Sequence, residues 1–86
     1  MPKIKNWKKE FEKKNEIMYR NLITGNRLYI YKSEVFDEWK VKYGKIYRRK
    51  QGRLVWYGGG KILKLFQYKK NALKFAINWM KKHPEG

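Results

Sequence analysis

Between Trp39 and Tyr57 five aromatic residues, Trp39, Tyr43, Tyr47, Trp56 and Tyr57, stand among Lys40, Lys42, Lys45, Arg48, Arg49, Lys50 and Arg53. Ammonium and guanidinium groups neutralise phosphates and release condensed counterions. Aromatic rings offer flat faces on which bases or sugars stack. Arginine adds a planar fork that meets two phosphate oxygens at once, so Arg48-Arg49-Lys50, beside a turn at Gln51-Gly52, is the expected centre of contact. As strand neighbours, Arg48 and Arg49 fall on opposite faces, and only one of them lies on a main binding face unless the hairpin protrudes. The candidate nucleic-acid-binding set is Lys40, Lys42, Lys45, Tyr47, Arg48, Arg49, Lys50, Arg53, Tyr57 and Lys61.

Catalytic chemistry has little material to work with. His83 is the only histidine, next to Pro84, and there is no cysteine. Glu34, Asp37 and Glu38 lie close enough in sequence to gather round a divalent ion, but no second acidic ligand set comes from elsewhere in the chain. They read as turn and charge-balancing residues. No catalytic residue, metal or cofactor is expected, and the chain is not expected to be an enzyme. Gly58-Gly59-Gly60 before Lys61 has the look of a phosphate cradle. A P-loop, however, feeds a helix with Lys and Ser or Thr at fixed spacing, and this run leads into the strand-like KILKLF. It reads as a flexible hairpin loop.

The whole composition points the same way. Among 86 residues, 23 Lys and Arg oppose 7 Asp and Glu, a formal net charge of +16. Such a body repels itself and concentrates polyanions around it. Adaptation to heat raises Glu alongside Lys, because ion-pair networks need both signs, and here acids are scarce. Hydrophobic residues at 42 % and aromatics at 17 % are too many for a disordered polycation. The chain reads as a single small domain over residues 1–86, of a size that buries roughly 60 to 65 % of its unfolded surface. Without cysteine it stands on packing alone, which fits a reducing interior. Residues 1–20 hold no continuous apolar run, so no signal peptide or membrane helix is expected. The expected compartment is the cytoplasm, at the nucleoid, and the expected partner is nucleic acid, DNA ahead of RNA, with no membrane and with a homodimer open as an alternative.

The elements that must position these residues follow from periodicity. Ile4, Trp7 and Phe11 recur at spacings of three and four, predicting a short N-terminal helix over 4–14, capped by Asn6 and aided by Glu10 and Lys14 at i, i+4. The period then changes to two: Glu16 to Ile23 and Arg27 to Lys32 flank Thr24-Gly25-Asn26 as a hairpin. Ser33 to Phe36 reads as a turn capped by Ser33. Trp39, Val41 and Tyr43 form one strand face, with Lys40 and Lys42 on the other. Lys45 to Lys50, Arg53 to Tyr57 and Lys61 to Gln67 continue as strands. From Lys69 to Lys82 Ala72, Leu73, Ala76, Trp79 and Met80 make an apolar helical stripe opposite Lys70, Lys74, Asn78 and Lys81, ended by His83-Pro84. The fold class is α+β: an antiparallel sheet of four to five strands, a C-terminal helix packed on one face, a short N-terminal helix, and an exposed second sheet face.

Over residues 39–80 this pattern resembles the three-stranded-sheet-plus-helix DNA-binding domains of integrase arm-binding regions and ethylene-response factors. The matching features are the strand opening Trp39-Lys40-Val41, a last strand ending in Phe66, and a helix carrying Ala72 and Ala76. The resemblance implies a sheet laid in the major groove, with Lys40, Lys42, Arg48 and Arg53 as contacts. The preceding hairpin departs from it. GRLVWYGGGKILKLFQYKK also looks like the late hairpin of ribosome-dependent mRNA-interferase toxins, which cut RNA with Arg, Lys and Tyr. Those toxins place two long helices first, which this order of elements does not. The expected function is DNA binding of low sequence specificity, nucleoid-associated or regulatory, with an RNA-binding protein or such a toxin as the alternative.

Overall fold

The computed structural model describes residues 4–50, 53–57 and 60–86, with positions between 46 and 57 described by backbone and register. Among the described residues seven strands precede one helix: β1 (Trp7–Lys13), β2 (Glu16–Asn21), β3 (Arg27–Lys32), β4 (Trp39–Gly44), β5 (Ile46–Lys50), β6 (Arg53–Tyr57), β7 (Lys61–Phe66) and α1 (Lys69–Lys82). Five of them form an antiparallel sheet in the order β1-β2-β3-β4-β7, while β5 and β6 pair with each other as a separate ribbon. The α+β class and the C-terminal helix stand as the periodicity predicts.

The N-terminal helix does not form: residues 7–13 are the edge strand β1. The reason is a register shift between Lys9 and Phe11 in the β1–β2 ladder. In a regular strand Trp7 and Phe11, four apart, would share a face. The extra residue sends Phe11 to the opposite face, so an apolar spacing that imitates a helical turn serves both sides of a sheet. Glu10 pairs with Arg27 at 2.8 Å and Arg20 at 3.9 Å, across strands. Asn6, expected as a cap, instead takes φ 65. Asparagine tolerates that left-handed conformation better than most residues, and its carbonyl accepts the Leu22 N–H at 2.7 Å.

The core lies between the sheet and α1. Ile17 and Tyr19 from β2, Leu28 and Ile30 from β3, and Trp39 and Val41 from β4 meet Ala72, Ala76 and Met80. Alanine at two helix positions lets the helix sit close to the sheet, and Ala72, Ala76 and Met80 are fully buried. The β2–β3 hairpin turns at Gly25, whose φ of 77 suits glycine. The next loop turns on Ser33, whose Oγ accepts the Val35 and Phe36 N–H groups at 3.4 and 3.2 Å.

Two further expectations are corrected. The strand expected over residues 61–67 forms, but the simple alternation of such a strand, Leu63 and Leu65 against Ile62, Lys64 and Phe66, is broken by a second register shift, at Val41/Lys42 in the β4–β7 ladder. As a result Leu63 and Phe66 pack on the core, while Ile62 and Leu65 are 45 % and 49 % exposed. The second sheet face is not bare, because Met18 at 0 % and Tyr29 at 8 % exposure lie on it. The expected turn at Gln51-Gly52 and the first two glycines of the 58–60 run fall outside the described residues.

Candidate nucleic-acid interface

Directly opposed residues in an antiparallel ladder share a face and touch, so the registers assemble the face away from α1 into three cross-strand rows. The first runs Lys8, Arg20, Arg27, Gly44; the second Phe11, Met18, Tyr29, Lys42, Ile62; the third Lys13, Glu16, Tyr31, Lys40, Leu65. Six cations, Lys8, Lys13, Arg20, Arg27, Lys40 and Lys42, thus surround an apolar and aromatic strip. Two carboxylates share the face. Glu10 bridges Arg20 and Arg27, and Glu16 lies 3.6 Å from Lys13 and accepts the Tyr29 hydroxyl. Exposed pairs of this kind add about 0 to 1 kcal/mol; they hold side chains in place and leave cations in excess.

At the centre Tyr29 and Tyr31, two residues apart on β3, stack with ring centroids 4.5 Å apart and planes 15° from parallel. The stack occupies one face of each ring. Burial raises the Tyr31 phenol above its ordinary value, so it remains a neutral hydrogen-bonding group. Lys42, next to Tyr29 across the β3–β4 ladder, is held below the ordinary lysine value, first by burial and then by the positive charge of Lys40. A lysine strained in this way gains from any anion brought beside it, because both causes oppose its charged form.

The predicted residues divide by position. Lys40 and Lys42 share the second face, as their alternation implies. Lys45 is exposed in the bend between β4 and β5. Tyr47, Arg48, Arg49 and Lys50 are on β5 and Arg53 and Tyr57 on β6, with Tyr47 opposite Trp56, Arg48 opposite Val55, Arg49 opposite Leu54, Lys50 opposite Arg53 and Ile46 opposite Tyr57. These cations therefore belong to the ribbon, outside the five-stranded sheet; the placement of their side chains lies outside the described residues. Lys61 is opposite Tyr43, whose ring packs against Trp79 of α1, so it falls on the helix side, away from Lys40 and Lys42. Sequence reasoning missed Lys8, Lys13, Arg20 and Arg27. For Arg20 and Arg27 the hairpin alternation carried the signal; for Lys8 and Lys13 the helical reading hid it.

Among the described residues no group of three or more His, Asp or Glu is arranged to hold a metal ion, and no helix is long and apolar enough to cross a membrane. In the 33–38 loop Asp37 pairs with Lys32 at 3.2 Å. Comparison with family models, curated proteins and solved structures gives no match to this chain.

Proposed function

We propose that the protein binds duplex DNA with low sequence specificity, as a nucleoid-associated or regulatory protein, through the cationic sheet face and the adjoining β5–β6 ribbon. The observation that carries this reading is the grouping of six cations against two carboxylates around the Tyr29–Tyr31 stack, with Lys42 kept short of its ordinary basicity. Cations of this kind meet phosphates, which repeat identically along any sequence and carry no base information. Low specificity follows.

The deciding experiment measures affinity for matched duplex DNA, single-stranded DNA and structured RNA across a salt series. Duplex binding is expected to persist near physiological salt, with a slope of about 0.9 per neutralised phosphate. Lys40→Gln with Lys42→Gln is expected to weaken binding to all duplex sequences alike and to flatten the slope by up to roughly 1.8. The Arg48→Gln, Arg49→Gln pair is expected to do the same from the ribbon. If all three nucleic acids dissociate together at low salt, or both double variants leave slope and affinity unchanged, the reading is wrong. Preference for structured RNA would transfer the site to an RNA ligand.

Lys42 supplies a second check with a defined sign. Its lowered folded value means that the free protein carries fewer protons than the unfolded chain between that value and 10.5, so its contribution to stability rises with pH across this alkaline window. A bound phosphate restores the proton. Duplex binding within the window is therefore expected to take up protons and to weaken as pH rises. In Lys42→Arg, which does not deprotonate, that uptake is expected to be smaller in calorimetry run in buffers of different ionisation enthalpy. Equal proton uptake in both proteins removes Lys42 from the interface.

A further inference from the structure

Lys70, Lys74, Lys81 and Lys82 are all exposed on α1, interspersed only with exposed Asn71 and Asn78 on its outer surface. Lys70, Lys74 and Lys81, spaced four and seven apart, lie along one ridge about 17 Å long at the helical rise per residue. No acid occurs anywhere in α1, and among the described residues no ion pair reaches these four lysines. Several features make this arrangement unfavourable for the helix alone. Lys70 and Lys74 repel each other at i, i+4. Lys69 and Lys70 occupy the first turn, where the helix dipole disfavours positive charge, and no side chain caps that end. Lys81 and Lys82, in the last turn, suit the helix dipole, but among the described residues no acid pairs with the ridge, and an external polyanion would supply the missing counter-charge.

Its position sets the geometry of that contact. α1 covers one face of the sheet, and the proposed Lys40/Lys42 surface lies on the other, so the two cationic surfaces point in opposite directions. Duplex DNA has a persistence length of about 50 nm and does not fold round a body with principal extents of 33 × 28 × 20 Å. One duplex therefore reaches one surface. We propose that the outer ridge of α1 is a second nucleic-acid-binding surface, and that a single molecule bridges two separate duplex segments. This rests on the DNA-binding reading above and adds to it a division of labour between faces.

The test uses the full chain, one duplex tethered to beads and a second, fluorescent duplex in solution, with affinity for each duplex alone measured in parallel. The wild-type protein is expected to capture the fluorescent duplex on the beads. Lys70→Gln, Lys74→Gln, Lys81→Gln, all at exposed positions and all to a residue of good helix propensity, is expected to hold a single duplex within about threefold of wild-type affinity and to lose roughly tenfold or more of the capture, since only the second valency is removed. Undiminished capture by the triple variant overturns the bridging surface, as does wild-type binding of one duplex without capture of another. If the triple variant loses single-duplex binding while Lys40→Gln with Lys42→Gln keeps it, the helix is the sole site and the two-faced model falls. If the wild type binds no duplex at all, the DNA reading itself fails and the inference fails with it.

Discussion

Trp7→Ala is expected to destabilise the protein by about 3 to 5 kcal/mol, the range for deleting a large buried aromatic side chain. At roughly 4 to 8 °C per kcal/mol for a domain of this size, the midpoint of thermal unfolding falls by more than about 12 °C. Trp7 does more than fill volume. It is the core residue that edge strand β1 sends under the end of the helix, edge to face with Trp79 at 6.1 Å, and its indole Nε1–H donates to the His83 carbonyl at 2.9 Å. Carbonyls in the last turn of a helix have no intrahelical partner, so an edge strand here closes a helix end. Trp7→Phe separates the two contributions. It keeps most of the ring and removes the donor, and is expected to lose about 1 kcal/mol. Denaturant titration distinguishes them; equal losses in the two variants would mean that packing contributes nothing.

The second large effect belongs to Asn21, a polar side chain with 0 % exposure. Its Oδ1 accepts the Ile23 and Thr24 N–H groups, both at 3.0 Å, and the Thr24 hydroxyl at 3.2 Å, while its amide donates to the Pro84 carbonyl at 3.0 Å. One side chain thus closes the β2–β3 turn and ties down the segment after α1. Asn21→Ala is expected to lose about 2 to 4 kcal/mol, because removing the amide strands several backbone groups at once. Asn21→Asp retains an acceptor for the turn but sets a carboxylate against the Pro84 carbonyl, and is expected to fall between wild type and Ala. Amide exchange at Ile23 and Thr24 is the local readout: protection should be lost in Ala and retained in Asp. A change within about 0.5 kcal/mol for Ala, typical of surface substitutions, would show that the network is not structural.

Trp7 and Asn21 also show what periodicity can and cannot reveal. The helix over 69–82, the hairpin about Gly25 and the inward set Trp39, Val41 and Tyr43 were legible because each element keeps one period for its whole length. The N-terminal strand was not, since a single inserted residue makes a strand alternate between faces at helical intervals. A register shift is a property of two strands paired in space, and β1 alone carries no mark of it. The same holds for β7, where the shift groups Ile62 with Leu65 on one face and Leu63 with Phe66 on the other, pairs that simple alternation would split. For the candidate interface, Lys40 and Lys42 were legible from parity within one strand. Lys8, Lys13, Arg20 and Arg27 required knowing that β1, β2 and β3 lie side by side, and Lys61 was assigned with them although pairing with Tyr43 puts it on the other face.

Both register shifts lie in the ladders that attach the two outermost strands of the sheet, β1 and β7. An outermost strand presents unpaired backbone groups that invite another chain to add to them, and bulges and lysines are the features that discourage it. β1 carries Lys8, Lys9 and Lys13, and β7 carries Lys61 and Lys64. A protein gathered along a polyanion is held at local concentrations far above those in free solution, where strand addition between neighbours would grow without limit. If the DNA-binding proposal holds, irregular, positively charged borders would let copies crowd on one duplex as separate molecules and keep a dense coating from turning into a fibre.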